Sequence, residues 1–154
     1  MDYRIVVGCD DAGLDYKERL AEDLRADPRV AEVIDLGVHR GAEDVDRPYP
    51  EIGLAAGEAV RAGTADRAVL VCGTGIGMAL SANKVPGVRA TTAHDSFSVE
   101  RSIRSNNCQV LAIGQRVVGL ELARRLVGEW LGYTFDERSA SAAKVELISE
   151  YERC

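Results

Sequence analysis

The sequence contains four cysteines but no Cys-x-x-Cys pair. Cys9, Cys72, Cys108 and Cys154 are scattered, with no neighbouring histidine at metal-ligand spacing. This excludes a clustered metal centre and a disulfide framework, and points to reduced thiols in a cytoplasmic protein. Positive charge is also scarce: 19 Lys and Arg stand against 25 Asp and Glu, for a net charge of -6. A nucleic-acid partner needs a basic face, so none is expected, although a locally basic pocket for a small ligand remains open. The start Met1-Asp2-Tyr3-Arg4 has no basic segment running into a long apolar stretch, and no apolar run approaches bilayer length, so no membrane partner is expected either. Repeats, linkers and low-complexity tracts are missing. With 46% hydrophobic residues over 154 positions, the chain reads as one domain, 1-154, able to bury a core without staples.

What is present is an alternation of short β-rich runs with helical patterns, the signature of a parallel sheet covered on both faces. The expected strands are Arg4 to Cys9, Glu32 to Leu36, Arg67 to Cys72, Val88 to Ala93 and Gln109 to Ile113. Apolar spacing of three and four places helices through Leu20, Ala21 and Leu24, through Ile52, Ala56, Ala59 and Val60, and through Leu122, Leu126 and Trp130. Gly37 to Pro50 lacks periodicity and reads as the longest loop, lying over one sheet edge. Ser139 to Arg153 reads as a terminal helix with Ala142, Val145, Leu147 and Ile148 inward, packing within or across subunits.

Ligands of such sheets gather at the carboxyl ends of the strands. There, Val69-Leu70-Val71-Cys72-Gly73-Thr74-Gly75-Ile76-Gly77 carries a thiol from a buried strand into a glycine-rich turn that opens a helix. Unpaired backbone N-H groups and the helix N-terminus suit a phosphate or an enediolate, and a thiol in that field has its thiolate favoured. The first strand ends in Gly8-Cys9-Asp10-Asp11-Ala12-Gly13. One of the two acids is expected to cap the following helix, which leaves the other spare. After the fourth strand, Asp95 is expected as a helix cap, and His94 is given a structural role. A dinucleotide site is a competing reading of the glycine turn, but Gly73-x-Gly75-x-Gly77 lacks the Gly-x-Gly-x-x-Gly spacing and no Gly-Lys-Ser/Thr follows.

Several motifs in fixed order, Gly8-x-Asp10-x-Ala12-Gly13, Cys72-Gly73-Thr74-Gly75-Ile76-Gly77, Ala82-Asn83-Lys84, Val88-Arg89-Ala90, Asn106-Asn107 and Gly114-x-Arg116-Val117-Val118-Gly119, span nearly the whole chain. Together they resemble the type-B ribose-5-phosphate isomerase and galactose-6-phosphate isomerase family. The resemblance implies a Rossmann-like three-layer α/β/α sandwich with a five-stranded parallel sheet. It also implies no cofactor and no metal, aldose/ketose isomerisation of a phosphorylated sugar, and homodimers or homotetramers whose sites are completed by a neighbouring subunit. Such an isomerisation removes a carbon-bound proton and stabilises an enediolate. The resemblance assigns the base to Cys72, since members that use a glutamate instead carry it where this chain has Met78. Thr74 would hydrogen-bond the substrate oxygens, Asp10 would relay a proton between O1 and O2, and backbone N-H groups of Gly73, Gly75, Ile76 and Gly77 would hold the oxyanion.

The departures from the family pattern bear on the substrate. Asp11 stands where the ribose-phosphate isomerases carry His, and the terminal Arg-His-x-x-Arg-Val appears as Ala140-Ser141-Ala142-Ala143-Lys144-Val145. Phosphate binding is therefore expected to be remodelled around Lys144, Arg116 and Arg138. Before Asn106, Ser105 replaces a histidine that helps to open a furanose ring. A tetrose phosphorylated on O4 has no free hydroxyl placed to close such a ring. Thr92-Ala93-His94-Asp95-Ser96-Phe97-Ser98, Ser105-Asn106-Asn107 and Arg138-Ser139-Ala140 resemble the tetrulose-phosphate isomerase branch of the family. That resemblance implies conversion of D-erythrulose 4-phosphate to D-erythrose 4-phosphate, with ribose 5-phosphate isomerisation as the alternative and a non-catalytic sugar-phosphate or nucleotide-binding module as the reading from another class.

Overall fold

A computed structural model describes residues 2-153, so Cys154 lies outside the described residues. Five strands form one all-parallel sheet: β1 (Tyr3–Cys9), β2 (Val30–Asp35), β3 (Arg67–Cys72), β4 (Ala90–Thr92) and β5 (Val110–Gly114), in the order β2-β1-β3-β5-β4. Six α-helices connect and follow them: α1 (Leu14–Ala26), α2 (Tyr49–Arg61), α3 (Ile76–Ala82), α4 (Ser96–Arg104), α5 (Leu120–Gly132) and α6 (Ala142–Glu152). The three-layer sandwich expected from the sequence is thus the observed architecture.

Alternation along the central strands explains the layers. Ile5, Val7, Cys9, Val69, Val71, Leu111 and Ile113 pack with residues of α1, α4 and α5, including the fully buried Trp130. Their neighbours Val6, Ala68, Leu70, Cys72, Val110 and Ala112 face α2 and α3. Small residues on that second face let α2 and α3 sit close, with Gly53 and Gly57 against Ser81 and Val85. Cys72 therefore ends its strand on the α2 and α3 side of the sheet, just before the turn that opens α3.

Several boundaries move. β2 begins at Val30, ahead of the expected Glu32, and ends at Asp35, while β4 keeps only three residues. Both are sheet edges, where alternation is diluted by solvent-facing residues. The loop after β2 ends before Tyr49, because Pro50 fits the first turn of α2, and a short 3-10 turn at Glu43–Asp46 interrupts it. Leu122 is exposed, unlike Leu126 and Trp130 of the same helix. The larger correction concerns α6. Val145 is buried, but Leu147 and Ile148 are 66% and 48% exposed, so the inward placement of those two residues fails within a single chain. Tyr151 joins them on the surface.

At the opposite end of the sheet from Cys72, the buried guanidinium of Arg67 donates to the carbonyls of Trp130 (2.9 Å) and Tyr133 (2.6 Å), closing the C-terminus of α5. It lies over the rings of Tyr3 and Trp130. Among the described residues no helix is long and apolar enough to cross a membrane.

Candidate active site

β1 and β3 are neighbours in the sheet, so the two motif-bearing strand ends open side by side. A cavity of about 490 Å³ there is lined by Asp10, Asp11, Ala12, Tyr49, Cys72, Gly73, Thr74, Ile76, Gly77, Leu80 and Arg116. Eight of these positions, Asp10, Asp11, Cys72, Gly73, Thr74, Ile76, Gly77 and Arg116, are ones the sequence singles out.

The turn after β3 is held by its backbone. Gly75 has φ +79°, and a Cβ there would stand 3.0 Å from the Ile113 carbonyl carbon, so this bend against β5 takes glycine. The Gly75 N-H donates to Cys72 Sγ at 3.0 Å, and the Ile76 N-H donates to Thr74 Oγ1 at 3.3 Å. This corrects the expected anion cradle: two of its backbone donors already serve side chains, leaving Gly73, Thr74 and Gly77. The same bond makes the Cys72 sulfur an acceptor at the mouth of the cavity. Burial pushes the thiols of Cys9 and Cys108 up to about 12 and about 11 respectively, which keeps both protonated at neutral pH.

On the β1 side the two acids divide as the sequence allows. Asp10 is the cap, its Oδ1 accepting from the Ala12 N-H at 3.1 Å. Burial first, and then the neighbouring Asp11 carboxylate, push Asp10 above the ordinary carboxylate range, so it holds a proton more readily than an exposed acid. Asp11 is exposed, and its carboxylate makes no hydrogen bond or ion pair with any described residue. Opposite, Arg116 lies against the turn: a Cβ on Gly73 would stand 3.2 Å from its Nη1. Every other arginine of the described chain has a carboxylate or carbonyl partner, whereas the Arg116 guanidinium has none. An unpaired guanidinium beside free backbone donors is a site for a small anion.

Tyr49 and Leu80 line the cavity and were not singled out from the sequence. The Tyr49 ring sits over Gly77, where a Cβ would come 2.5 Å from Cε2. The signal was present in Pro48-Tyr49-Pro50, a rigid entry to α2 inside a stretch read as loop. His94 has the structural role expected of it, its Nε2 accepting from the Gly114 N-H at 2.9 Å. Burial holds its pKa below the ordinary histidine value. Asp95 caps α4, as expected, through Ser98 N-H at 2.7 Å.

Four expected substrate residues lie elsewhere in the chain. Ser105 follows α4, and Asn106 lines a separate cavity of about 560 Å³ with Asn83, Arg89, Arg101 and Ile148, bonding the Arg101 carbonyl at 3.2 Å. Arg138 is paired with Asp136, and Lys144 is exposed near the start of α6. One chain therefore does not bring Ser105, Asn106, Arg138 and Lys144 to Cys72. No group of three or more His, Cys, Asp or Glu that could hold a metal ion occurs among the described residues.

A thiol, a raised carboxyl and a free guanidinium at the carboxyl ends of a parallel sheet define a Rossmann-like α/β enzyme for a small anionic substrate. More particularly, the chain belongs to the ribose/galactose isomerase family, whose model matches residues 5–148. It is 60% identical over 152 residues, covering 99% of each chain, to D-erythrulose-4-phosphate isomerase 2 of Mycolicibacterium smegmatis. It is 40% identical over 96% of its length to D-erythrulose-4-phosphate isomerase of Pectobacterium atrosepticum, covering 94% of that protein. Among solved structures, ribose-5-phosphate isomerase B of Clostridium thermocellum superposes with a TM-score of 0.89 at 41% identity, covering 97% of both chains. The resemblance read from the motifs is borne out, and the chain is a sugar-phosphate isomerase of this family.

Proposed function

We propose that the chain interconverts D-erythrulose 4-phosphate and D-erythrose 4-phosphate without a cofactor, with Cys72 as the base. One observation carries the chemistry: the Cys72 sulfur, the Asp10 carboxyl and the unpaired Arg116 guanidinium line one cavity of about 490 Å³. The Cys72 thiolate takes a proton from C1 of the ketose, the C1–C2 double bond forms, and the carbonyl electrons move to O2. The carboxylate of Asp10 takes the proton of O1 and passes it to O2, and the thiol returns its proton to C2 as the aldehyde forms. Backbone N-H groups of the turn and Thr74 Oγ1 stabilise charge on the oxygens during this exchange, where such donors have their largest effect. Arg116 holds the phosphate, which does not react.

The substrate length rests on two supports: the tetrulose-phosphate isomerases among the relatives, and Ser105 in place of a ring-opening histidine. The remaining ligands, Ser105, Asn106, Arg138 and Lys144, come from a second copy in a cytoplasmic homodimer or homotetramer. The exposed Leu147, Ile148 and Tyr151 of α6 support this, because a single chain leaves that apolar face uncovered. The test is kinetic. kcat/KM for D-erythrulose 4-phosphate should exceed that for ribose 5-phosphate by at least about tenfold, equivalent to roughly 1.4 kcal/mol of transition-state stabilisation. Equal or better turnover of ribose 5-phosphate would restore the five-carbon reading.

A further inference from the structure

The geometry points to Asp11 as the residue that sets which way round the substrate lies: its carboxylate accepts a hydroxyl of the sugar chain and keeps the phosphate at Arg116. This rests on the phosphosugar reading proposed above. Asp11 opens the 3-10 turn after β1, but Asp10, not Asp11, supplies the cap of that turn. Nor does the Asp11 side chain serve the fold, since its carboxylate has no ion pair or hydrogen bond with any described residue. It nevertheless lines the same cavity as Arg116 and Cys72.

The chemistry of those groups is complementary. An ionised carboxylate only accepts hydrogen bonds and a guanidinium only donates them. A sugar hydroxyl can satisfy the first, whereas a phosphate dianion satisfies the second and is repelled by the first. The cavity faces a substrate with an acceptor-only group at β1 and a donor-only group beside the turn after β3. A molecule carrying hydroxyls at one end and phosphate at the other has one favourable direction in it. The other titratable groups that one chain places around the cavity with Asp11 are Asp10, Cys72, Tyr49 and Arg116, and of these only Arg116 is cationic. The Arg138 and Lys144 proposed to come from a second copy add further donors for the phosphate.

Binding measured without turnover tests this. Inorganic phosphate and erythritol 4-phosphate, which carries the hydroxyls and the phosphate but no carbonyl, are titrated calorimetrically into the wild type, Asp11→Asn and Asp11→Ser. In both variants phosphate should bind more tightly, because the repulsion is gone. Erythritol 4-phosphate should gain less or weaken, because its hydroxyl loses a charged acceptor. The ratio Kd(phosphate)/Kd(erythritol 4-phosphate) should therefore fall by at least about threefold, a change well within one charge-assisted hydrogen bond. A smaller fall, or weaker phosphate binding in the variants, overturns the assignment. A wild type that binds both probes but turns over no tetrulose 4-phosphate overturns the proposed reaction alone. An unchanged ratio in an enzyme with normal turnover overturns the role of Asp11 alone.

Discussion

Cysteine illustrates how far residue type alone falls short of chemistry. Cys9 sits among apolar side chains and its thiol meets the Val38 carbonyl, while Cys72, also buried, receives an N-H from Gly75 and borders a cavity. With Cys72 as the base, Cys72→Ala lowers kcat by about 10²- to 10⁴-fold and leaves sugar-phosphate affinity nearly unchanged. A single-turnover assay alongside calorimetry checks both halves. Arg116→Ala should do the reverse, raising KM by about tenfold with kcat little altered if the phosphate is held equally in ground and transition states. Asp10 gives a prediction of opposite sign for stability. Its folded pKa is raised, so the folded state favours the protonated form and loses stability as pH rises through the carboxylate range. Asp10→Asn keeps an acceptor for the Ala12 N-H and removes the charge. It should therefore raise Tm at pH 7 while slowing turnover, with the Tm difference closing towards pH 3.

Elements were legible in the sequence in proportion to how completely they are buried. β1, β3 and β5 lie in the middle of the sheet with long apolar runs, and their expected and observed spans nearly coincide. β2 and β4 are edges whose side chains are partly wet, and their limits drift. α6 misled for a related reason: its apolar residues follow a helical repeat, but a single chain leaves Leu147 and Ile148 largely exposed. Two contacts that fasten elements are open to measurement. His94 Nε2 must be unprotonated to accept from Gly114, and burial lowers its pKa from 6.5. This stability is present above pH 6.5 and is lost as pH falls through the lowered value, so Tm should drop more steeply between pH 7 and pH 5 in the wild type than in His94→Gln. Arg67→Met strips two carbonyls at the end of α5 of their donor. It should cost about 2–4 kcal/mol in urea unfolding without changing KM, since Arg67 stands at the far end of the sheet.

At the scale of the whole molecule, half of the site was written in consecutive residues and half was not. Cys72 to Gly77 could be read as a turn because sequence neighbours are spatial neighbours there. Arg116 reaches the turn because β5 lies beside β3, and Tyr49 arrives from a stretch without periodicity. Ser105, Asn106, Arg138 and Lys144 carry no sign in the sequence of which copy they serve. If they serve a partner, Cys72→Ala and Asn106→Ala, each inactive alone, should recover about a quarter of wild-type activity after refolding together as dimers, because half the dimers are mixed and each mixed dimer has one intact site. Recovery near zero would place all the ligands in one chain. The strand order has a further consequence in the cell. β1 gains its first neighbour, β2, early in translation, but its other edge waits for β3, which begins at Arg67. At ordinary elongation rates that edge stays bare for about 2–6 s after β2 leaves the ribosome, long enough for stray strand pairing. The strand that delivers the thiol is also the one that ends this exposure, so a substitution that weakens β3 lowers the yield of protein before it lowers the turnover of any molecule that folds.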